Sequence, residues 1–167
     1  MVIMGIDPGY AIVGCGVIDY TANRFKTIDY RAVTTEAGTP FDLRLKQIYD
    51  GVTAIIDACH PEALAVEELF FTNNQKTAIA VAEARGVILL AGVNHGVPVY
   101  GYTPLQVKQA VVGYGRAVKS QVMEMTRVLL ALERVPKPDD VADALAIAIC
   151  HAHTNTSRMV GLPARRR

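Results

Sequence analysis

Four acidic residues lie far apart in the sequence, at positions from which a fold could bring them together: Asp7, Glu67, Asp140 and Asp143. Asp7 ends the apolar run 2–6, and Glu67 ends the apolar run 63–66. A carboxylate at the exit of a buried strand loses hydration, which is costly unless a positive group joins it. Mg²⁺ prefers carboxylate oxygens, water and substrate phosphate as ligands. The four acids therefore predict a site for divalent cations.

Asp140 and Asp143 stand three residues apart at the start of a predicted helix, so their side chains share one face of it. With the two strand-end acids they supply enough oxygen ligands for two Mg²⁺ ions. Two such ions about 3.5–4 Å apart stabilise both the attacking and the leaving oxygen of an in-line phosphodiester displacement. The set therefore predicts phosphodiester hydrolysis in which a metal-bound water is the nucleophile.

Each acid also has an ordinary structural explanation when it is taken alone. Asp7-Pro8-Gly9 favours a turn with Asp at its first position, and acids in the first turn of a helix cap it and complement its dipole. The combination of all four favours the metal site. Glu67 and Glu68 compete for one role, because adjacent strand residues point to opposite faces. Periodicity does not choose between them.

Composition describes an ordinary globular domain, with 51% hydrophobic and 20% charged residues. The formal net charge is +1, and two bound Mg²⁺ ions would raise it to about +5, which favours a phosphate-bearing partner. The sequence begins directly with a predicted strand, so we expect a cytoplasmic protein. Cys15, Cys59 and Cys150 lack CxxC spacing, which predicts buried thiols rather than a zinc site or disulfides.

Hydrophobic periodicity and turn signals predict five strands and five helices. The predicted strands are 2–7, 12–20, 27–32, 63–67 and 97–102, and the predicted helices are 41–59, 74–93, 104–112, 121–132 and 139–151. In the fourth helix we expect Ser120 to be the N-cap. The residues expected to face the core are Val122, Met125, Leu132 and either Val128 or Leu129.

Three strands in succession, followed by alternating strands and helices, predict an α/β fold with a mixed five-stranded sheet. The first three strands form an antiparallel meander and the other two run parallel. Ligands in such sheets bind at the carboxyl ends of strands, which is where Asp7 and Glu67 lie. We expect one domain over 1–155 and a disordered basic tail over 156–167, ending in three arginines.

The sequence closely resembles the RuvC-type Holliday-junction resolvases over nearly its whole length. The matching segments are Gly5-Ile6-Asp7-Pro8-Gly9, Ala65-Val66-Glu67, Ala84-Arg85-Gly86-Val87, 107–113, Lys119-Ser120-Gln121-Val122 and 140–148. The resemblance implies a ribonuclease-H-like fold and a homodimer that binds a four-way DNA junction. It implies symmetric nicks in two strands of like polarity with Mg²⁺ or Mn²⁺, and a branch-migration motor of the RuvA and RuvB type as partner.

The resemblance also assigns roles to individual residues. The metal-binding catalytic acids would be Asp7, Glu67, Asp140 and Asp143, which selects Glu67 over Glu68 by analogy. Lys108 and Lys119 match basic positions near the scissile phosphate, where an ammonium group opposes developing charge. Without the resemblance, both lysines would be interpreted as solvated residues on helix surfaces.

Further DNA contacts are expected from an aromatic pair and from late basic residues. Phe70 would stack on unpaired bases at the junction, although packing of Phe70 or Phe71 in the core is an equal alternative. Arg116 belongs to a concentration of basic residues late in the sequence, which offsets a net charge that is low for a DNA-binding protein. By resemblance helix 74–93 contributes to the dimer contact; alternatively, it covers the sheet of its own chain.

Other functions remain open at this point. An actin-like kinase or ATPase also places a Gly-Ile-Asp-x-Gly turn after its first strand, but it needs a second domain for which this chain lacks room. A non-catalytic junction-binding module would lack some of the four acids. Another nuclease of the same fold could cut RNA–DNA hybrids or act in transposition. His151 and His153 form an H-x-H pair that could bind a metal.

Overall fold

The computed structural model describes residues 1–69 and 75–159. The predicted order of elements is confirmed. The strands are β1 (Val2–Asp7), β2 (Ile12–Thr21), β3 (Arg24–Thr34), β4 (Ala63–Glu67) and β5 (Val99–Tyr102), and the helices are α1 (Phe41–Cys59), α2 (Gln75–Asn94), α3 (Pro104–Val112), α4 (Lys119–Leu129) and α5 (Asp139–Met159).

The five strands form one mixed sheet in the order β3-β2-β1-β4-β5. Strands β1, β2 and β3 pair antiparallel, and β1 pairs with β4 and β4 with β5 in parallel, so the predicted sheet is confirmed. Ala22 and Asn23 adopt positive φ angles of 51° and 59° between β2 and β3, the geometry that a two-residue hairpin turn requires.

Helices cover both faces of the sheet. On one face, α3, α4 and α5 bury a core that includes Val107, Val122 and Leu145, and on the other, α1 and α2 bury a core that includes Ile48 and Ile88. The sheet lies between the two cores, so β1 and β4 are covered on both faces. Because both faces are buried, the sequences of these strands are continuous apolar runs. Their two terminal acids are therefore held at the edge of a rigid layer.

Helix α5 lies directly on the backbone of β1 and β2. A Cβ atom added to Gly14 would lie 1.9 Å from the carbonyl oxygen of Asp140, and one added to Gly5 would lie 2.0 Å from that of Ala144. These strands therefore need glycine at the contact, since any side chain would push the helix away. Gly14 is also the partner of Asp7 in the β1–β2 ladder, so the start of α5 is brought beside the end of β1.

Helix α4 differs from its prediction in its start and in its buried face. The helix begins at Lys119, and the N–H of Val118 donates to Oε1 of Gln121 at 3.0 Å, so Ser120 lies inside the first turn and is not the cap. Met125 is exposed, so the predicted inward face was wrong at that residue. Of the alternatives Val128 and Leu129, Val128 is exposed and Leu129 is half-buried against the core. Residues of α4 and its C-terminal end that are buried are Val122, Met123, Thr126 and Leu130.

The reason lies in where the helix ends. Leu130 follows the last helical residue and Ala131 has a φ of 50°, so the chain turns immediately after Leu130. That turn fixes Leu130 as the inward residue, and the residues one and two turns before it share its face. Leu132 lies beyond the turn and is only half-buried.

Helix α5 is longer than predicted. It continues to Met159 rather than ending at about His151, so residues 156–159 of the predicted tail are helical. The remaining predicted tail, 160–167, lies outside the described residues. Nδ1 of His151 is 2.8 Å from the hydroxyl of Tyr102, and Nδ1 of His153 is 3.0 Å from the carbonyl oxygen of Ala110. The two histidines thus contact different elements instead of forming a shared metal site.

The thiol predictions hold for two cysteines. Cys15 and Cys150 are buried and Cys59 is half-buried, all as free thiols. Burial raises the pKa of Cys15 to about 12 and that of Cys150 to about 11. Both thiols are therefore un-ionised at neutral pH and act as small apolar core residues.

Helix α2 has an unusual distribution of apolar residues. Over the part of the chain that the structure describes, it is the one helix long and apolar enough to cross a membrane, over Thr77–Asn94, with 22% of that window buried. Ala84, Ile88 and Ala91 are buried against the sheet and α1, whereas Ile79 and Val93 are exposed. The helix is thus apolar on the face that covers the sheet and also on the opposite face.

Candidate active site

The two strand-end acids are neighbours because β1 and β4 are adjacent parallel strands. Ile6 pairs with Val66 in their ladder, so Asp7 and Glu67 follow one residue later at the same carboxyl edge. Both side chains are half-buried. Asp140 and Asp143, in the first two turns of α5, approach this edge from the face on which that helix lies.

The four carboxyl groups form one electrostatic cluster. Burial, Glu67, Asp143 and Asp140 together raise the pKa of Asp7 from 3.8 to about 8. Burial and Asp143 raise the pKa of Glu67 from 4.5 to about 7. Buried carboxylates that repel one another shift in this direction because the ionised form of each is disfavoured. The site therefore favours any positive group that can join it.

Lys119 is the positive group that the chain itself supplies. Its Nζ lies 2.8 Å from Oδ2 of Asp143 and 3.8 Å from Oδ2 of Asp139. Burial would lower the pKa of Lys119, but its pairing with Asp143, Asp139 and Asp7 outweighs burial and raises that pKa. Asp139 also accepts from Nζ of Lys137 at 2.6 Å.

A cavity of about 250 Å³ lies against the cluster. Its lining joins two acids, Glu67 and Asp143, with the two predicted lysines, Lys108 and Lys119. The apolar part of the wall consists of Pro104, Val107, Val122 and Ile147. A cavity lined by both carboxylates and ammonium groups suits a phosphate group that binds together with cations.

The structure distinguishes Glu67 from Glu68 where periodicity could not. The side chain of Glu67 lines the cavity. Glu68 is exposed and lies over β5, so that a Cβ added to Gly101 would be 2.7 Å from its Oε1. Of the two, Glu67 is therefore the acid on the cavity side, and its role as a metal ligand stays a prediction.

The donor set fits a hard divalent ion in chemistry, although its side chains do not yet surround one. Among residues 1–69 and 75–159, no three His, Cys, Asp or Glu side chains already stand in the arrangement of a metal centre. Four crowded carboxylates nevertheless supply the oxygen ligands that Mg²⁺ prefers. Lys119 pairs with Asp143 in their midst, so binding an ion at this carboxylate requires side-chain rotation.

The remaining predicted contacts are less central. Arg116 is exposed in the connection between α3 and α4. Phe70 and Phe71 lie outside the described residues. The sequence analysis missed Lys137 and missed Arg85, whose Nε donates to the carbonyl oxygen of Glu67 at 3.0 Å. No residue spacing in the sequence indicates a side chain that binds a backbone carbonyl on another element. The available signal was that Arg85 lies in a segment that carries the resemblance.

The mixed five-stranded sheet, with acids at the ends of β1 and β4 and on the last helix, defines a ribonuclease-H-like nuclease of the junction-resolvase class. A family model described as "Crossover junction endodeoxyribonuclease RuvC" matches residues 3–151. The chain belongs to this RuvC family. Its membership confirms the resemblance and excludes the actin-like kinase.

Curated relatives match over most of the chain. The crossover junction endodeoxyribonuclease RuvC of Clostridioides difficile is 59% identical over 155 residues, covering 93% of this chain and 92% of the relative. That of Desulforamulus reducens is 57% identical over 157 residues, covering 94% and 96%. The family is one of metal-dependent nucleases.

Solved structures match the fold. Thermus thermophilus RuvC superimposes with a TM-score of 0.86 at 40% identity, covering 96% of this chain and 97% of that protein. The same protein in complex with a Holliday-junction substrate gives a TM-score of 0.85 at 37% identity, with the same coverage.

We predict that Asp7→Asn stabilises the metal-free protein. A carboxyl whose pKa is about 8 when folded and 3.8 when unfolded binds its proton more tightly in the folded state. Stability is therefore lost as pH rises from the lower value to the higher one. Urea unfolding in chelator should show that the free energy of unfolding of the wild type falls between about pH 5 and about pH 8. The free energy of unfolding of Asp7→Asn should change less over this range, and at about pH 8 it should exceed that of the wild type.

Asp50→Asn is the control, because Asp50 is exposed on α1 and pairs only with Lys46 among the described residues. It should retain the wild-type pH dependence. A lower stability of Asp7→Asn at about pH 8 in chelator would contradict the repulsion inferred for the cluster.

Proposed function

We propose that this protein is a metal-dependent endonuclease that resolves four-way (Holliday) DNA junctions by paired nicks in strands of like polarity. The observation that carries the proposal is the cluster of Asp7, Glu67, Asp140 and Asp143 beside a lysine-lined cavity. Membership of the RuvC family and the junction-bound T. thermophilus relative support the substrate. The setting is recombination and repair of DNA in the cytoplasm.

The four acids are the ligands for two Mg²⁺ ions, with Mn²⁺ as a substitute. When bound, these ions supply an activated water and stabilise charge on the attacking and leaving oxygens. The carboxylates of Asp7 and Glu67 hold their positions through the rigid sheet edge, and those of Asp140 and Asp143 through α5. The acids thus serve as ligands whose backbone positions are fixed and whose side chains rotate to bind the ions.

Lys108 and Lys119, which line the same cavity, bind the DNA phosphates. Lys119 pairs with Asp143 in this structure, and cations held by the acids would leave its ammonium group available to a DNA phosphate. An ammonium group at that point opposes negative charge that develops on the phosphate. Arg116 extends the basic surface along the backbone of the junction, and Phe70 stacks on unpaired bases.

A symmetric pair of nicks needs two active sites related by a two-fold axis, and α2 carries a surface suited to this. Its exposed stripe follows the heptad-like spacing of residues that share one face, and it consists of Ile79, Glu83, Gly86, Leu90 and Val93. A Cβ added to Gly86 would meet no other atom of the described chain within 4 Å. A second copy of α2 crossing at Gly86 accounts for both the glycine and the exposed apolar residues.

We therefore propose a homodimer through α2. This contact also explains why α2 resembles a membrane span in composition, since one face covers the sheet and the other covers the partner. The branch-migration motor of the RuvA and RuvB type is the expected further partner, as in the resemblance described above.

The function is tested by titrating Mg²⁺ against a mobile-core junction, a linear duplex and an RNA–DNA hybrid. We expect paired nicks in the junction alone. Asp7→Asn should lose cleavage by a factor of about 10³ or more while retaining junction binding in Ca²⁺, because the basic surface is unchanged. Asp50→Asn should cut like the wild type. Cleavage of the hybrid in preference to the junction would favour the other nuclease function.

The dimer is tested with Leu90→Glu, which places a charge in the apolar stripe. Leu90 is 51% exposed, and Leu43 on α1 is 48% exposed, so Leu43→Glu is a matched control. Sedimentation equilibrium should show dimerisation about 30-fold weaker for Leu90→Glu and unchanged for Leu43→Glu. Equal dimerisation of both variants would exclude this face of α2.

A further inference from the structure

Arg85 links helix α2 to the active-site end of β4. Its Nε donates to the carbonyl oxygen of Glu67 at 3.0 Å, in a half-buried contact. Residues 67 and 85 are eighteen apart in the chain, so the bond ties together two separate elements. Arg85 is not among the residues that line the cavity of the site.

The bond acts at the point where the chain leaves the sheet. Strand β4 ends at Glu67, and the N–H of Glu68 donates to the carbonyl oxygen of Tyr102 on β5 at 2.8 Å. The peptide between Glu67 and Glu68 is therefore held by β5 through its N–H and by Arg85 through its carbonyl. With both groups of one peptide fixed, the Cα–Cβ direction of Glu67 is fixed as well.

This restraint matters because Glu67 is pushed by its neighbours. Its side chain lines the same cavity as the carboxylate of Asp143, and like charges that share a site repel each other. A carboxylate under such repulsion lowers its energy by turning outward unless its backbone resists. The guanidinium of Arg85 contacts the main chain of Glu67, so it acts on the acid through geometry.

We propose that Arg85 is a positioning residue that holds Glu67 in the orientation needed to bind a divalent cation. The inference rests on the proposed function of the four acids as metal ligands. Loss of the bond lets the end of β4 rotate, so part of the binding free energy of the cation is spent on restoring the orientation. The expected effect is that of losing a partner outside the ligand shell, about 10-fold in metal affinity.

The test measures Mn²⁺ binding by electron paramagnetic resonance on the full chain without DNA, for wild type, Arg85→Met and Arg85→Lys. Met keeps the apolar stem and removes the donor, whereas Lys keeps a donor and the charge. We expect about 10-fold weaker Mn²⁺ binding for Arg85→Met and substantial recovery for Arg85→Lys. Amide hydrogen exchange over 63–69 should be faster in Arg85→Met, and junction binding in Ca²⁺ should be unchanged.

Arg127→Met is the control, because Arg127 also donates to a backbone carbonyl, that of Leu132 at 2.9 Å, and does not line the cavity. It should lose this bond and the ion pair of Arg127 with Glu124, and keep wild-type Mn²⁺ affinity. If Arg85→Met does not fold, Arg85→Gln, which is too short to span the same contact, must show the same weakening.

Two results would overturn the inference. In the first, Arg85→Met or Arg85→Gln has the same Mn²⁺ affinity and the same rates of hydrogen exchange as the wild type. A wild type and variant that both fail to bind Mn²⁺ count as this result. The other is an equal loss of Mn²⁺ affinity in Arg127→Met, which would indicate a general effect of stability. Neither readout requires cleavage, so failure of the proposed nuclease function would appear separately, as a wild type that binds Mn²⁺ but leaves the junction intact.

Discussion

The direct contact between helix α5 and the backbone of β1 and β2 is the constraint on which the rest of the structure depends. Gly5 and Gly14 leave no side chain between strand and helix, and carbonyl oxygens of α5 occupy that space. Because Gly14 pairs with Asp7, this contact fixes how near Asp140 comes to Asp7. Close backbone packing thus converts three distant segments of sequence into one site.

The same contact has an electrostatic cost. It holds carboxyl groups together against repulsion, as the raised pKa of Asp7 indicates. Lys119 relieves part of this repulsion by pairing with Asp143, and divalent cations would relieve the rest. Under the proposed function, the metal-free protein gives up stability in exchange for affinity toward cations and phosphate. Functional sites commonly carry such local strain because the surrounding fold over-determines their geometry.

Much of this arrangement was predictable from sequence, and the failures have identifiable causes. The apolar runs ending in Asp7 and Glu67 predicted the strands and the edge at which their acids meet, because the period of a strand and the end of a run are local properties. The choice of Glu67 over Glu68 depended on resemblance, since both suit a strand end. Met125 was assigned to the wrong face because the turn after Leu130, which sets that face, has no clear local signal. The bond from Arg85 to Glu67 depends on tertiary packing alone.

We infer that α5 gathers the acids only because it rests on glycine. This dependence is tested most directly by Mn²⁺ binding to Gly14→Ala, measured by electron paramagnetic resonance beside urea unfolding. The added methyl group must displace the start of α5, so we expect stability lower by about 1–3 kcal/mol and Mn²⁺ affinity lower by about 10-fold or more. Wild-type Mn²⁺ affinity in a folded Gly14→Ala protein would show that the acids do not depend on this contact.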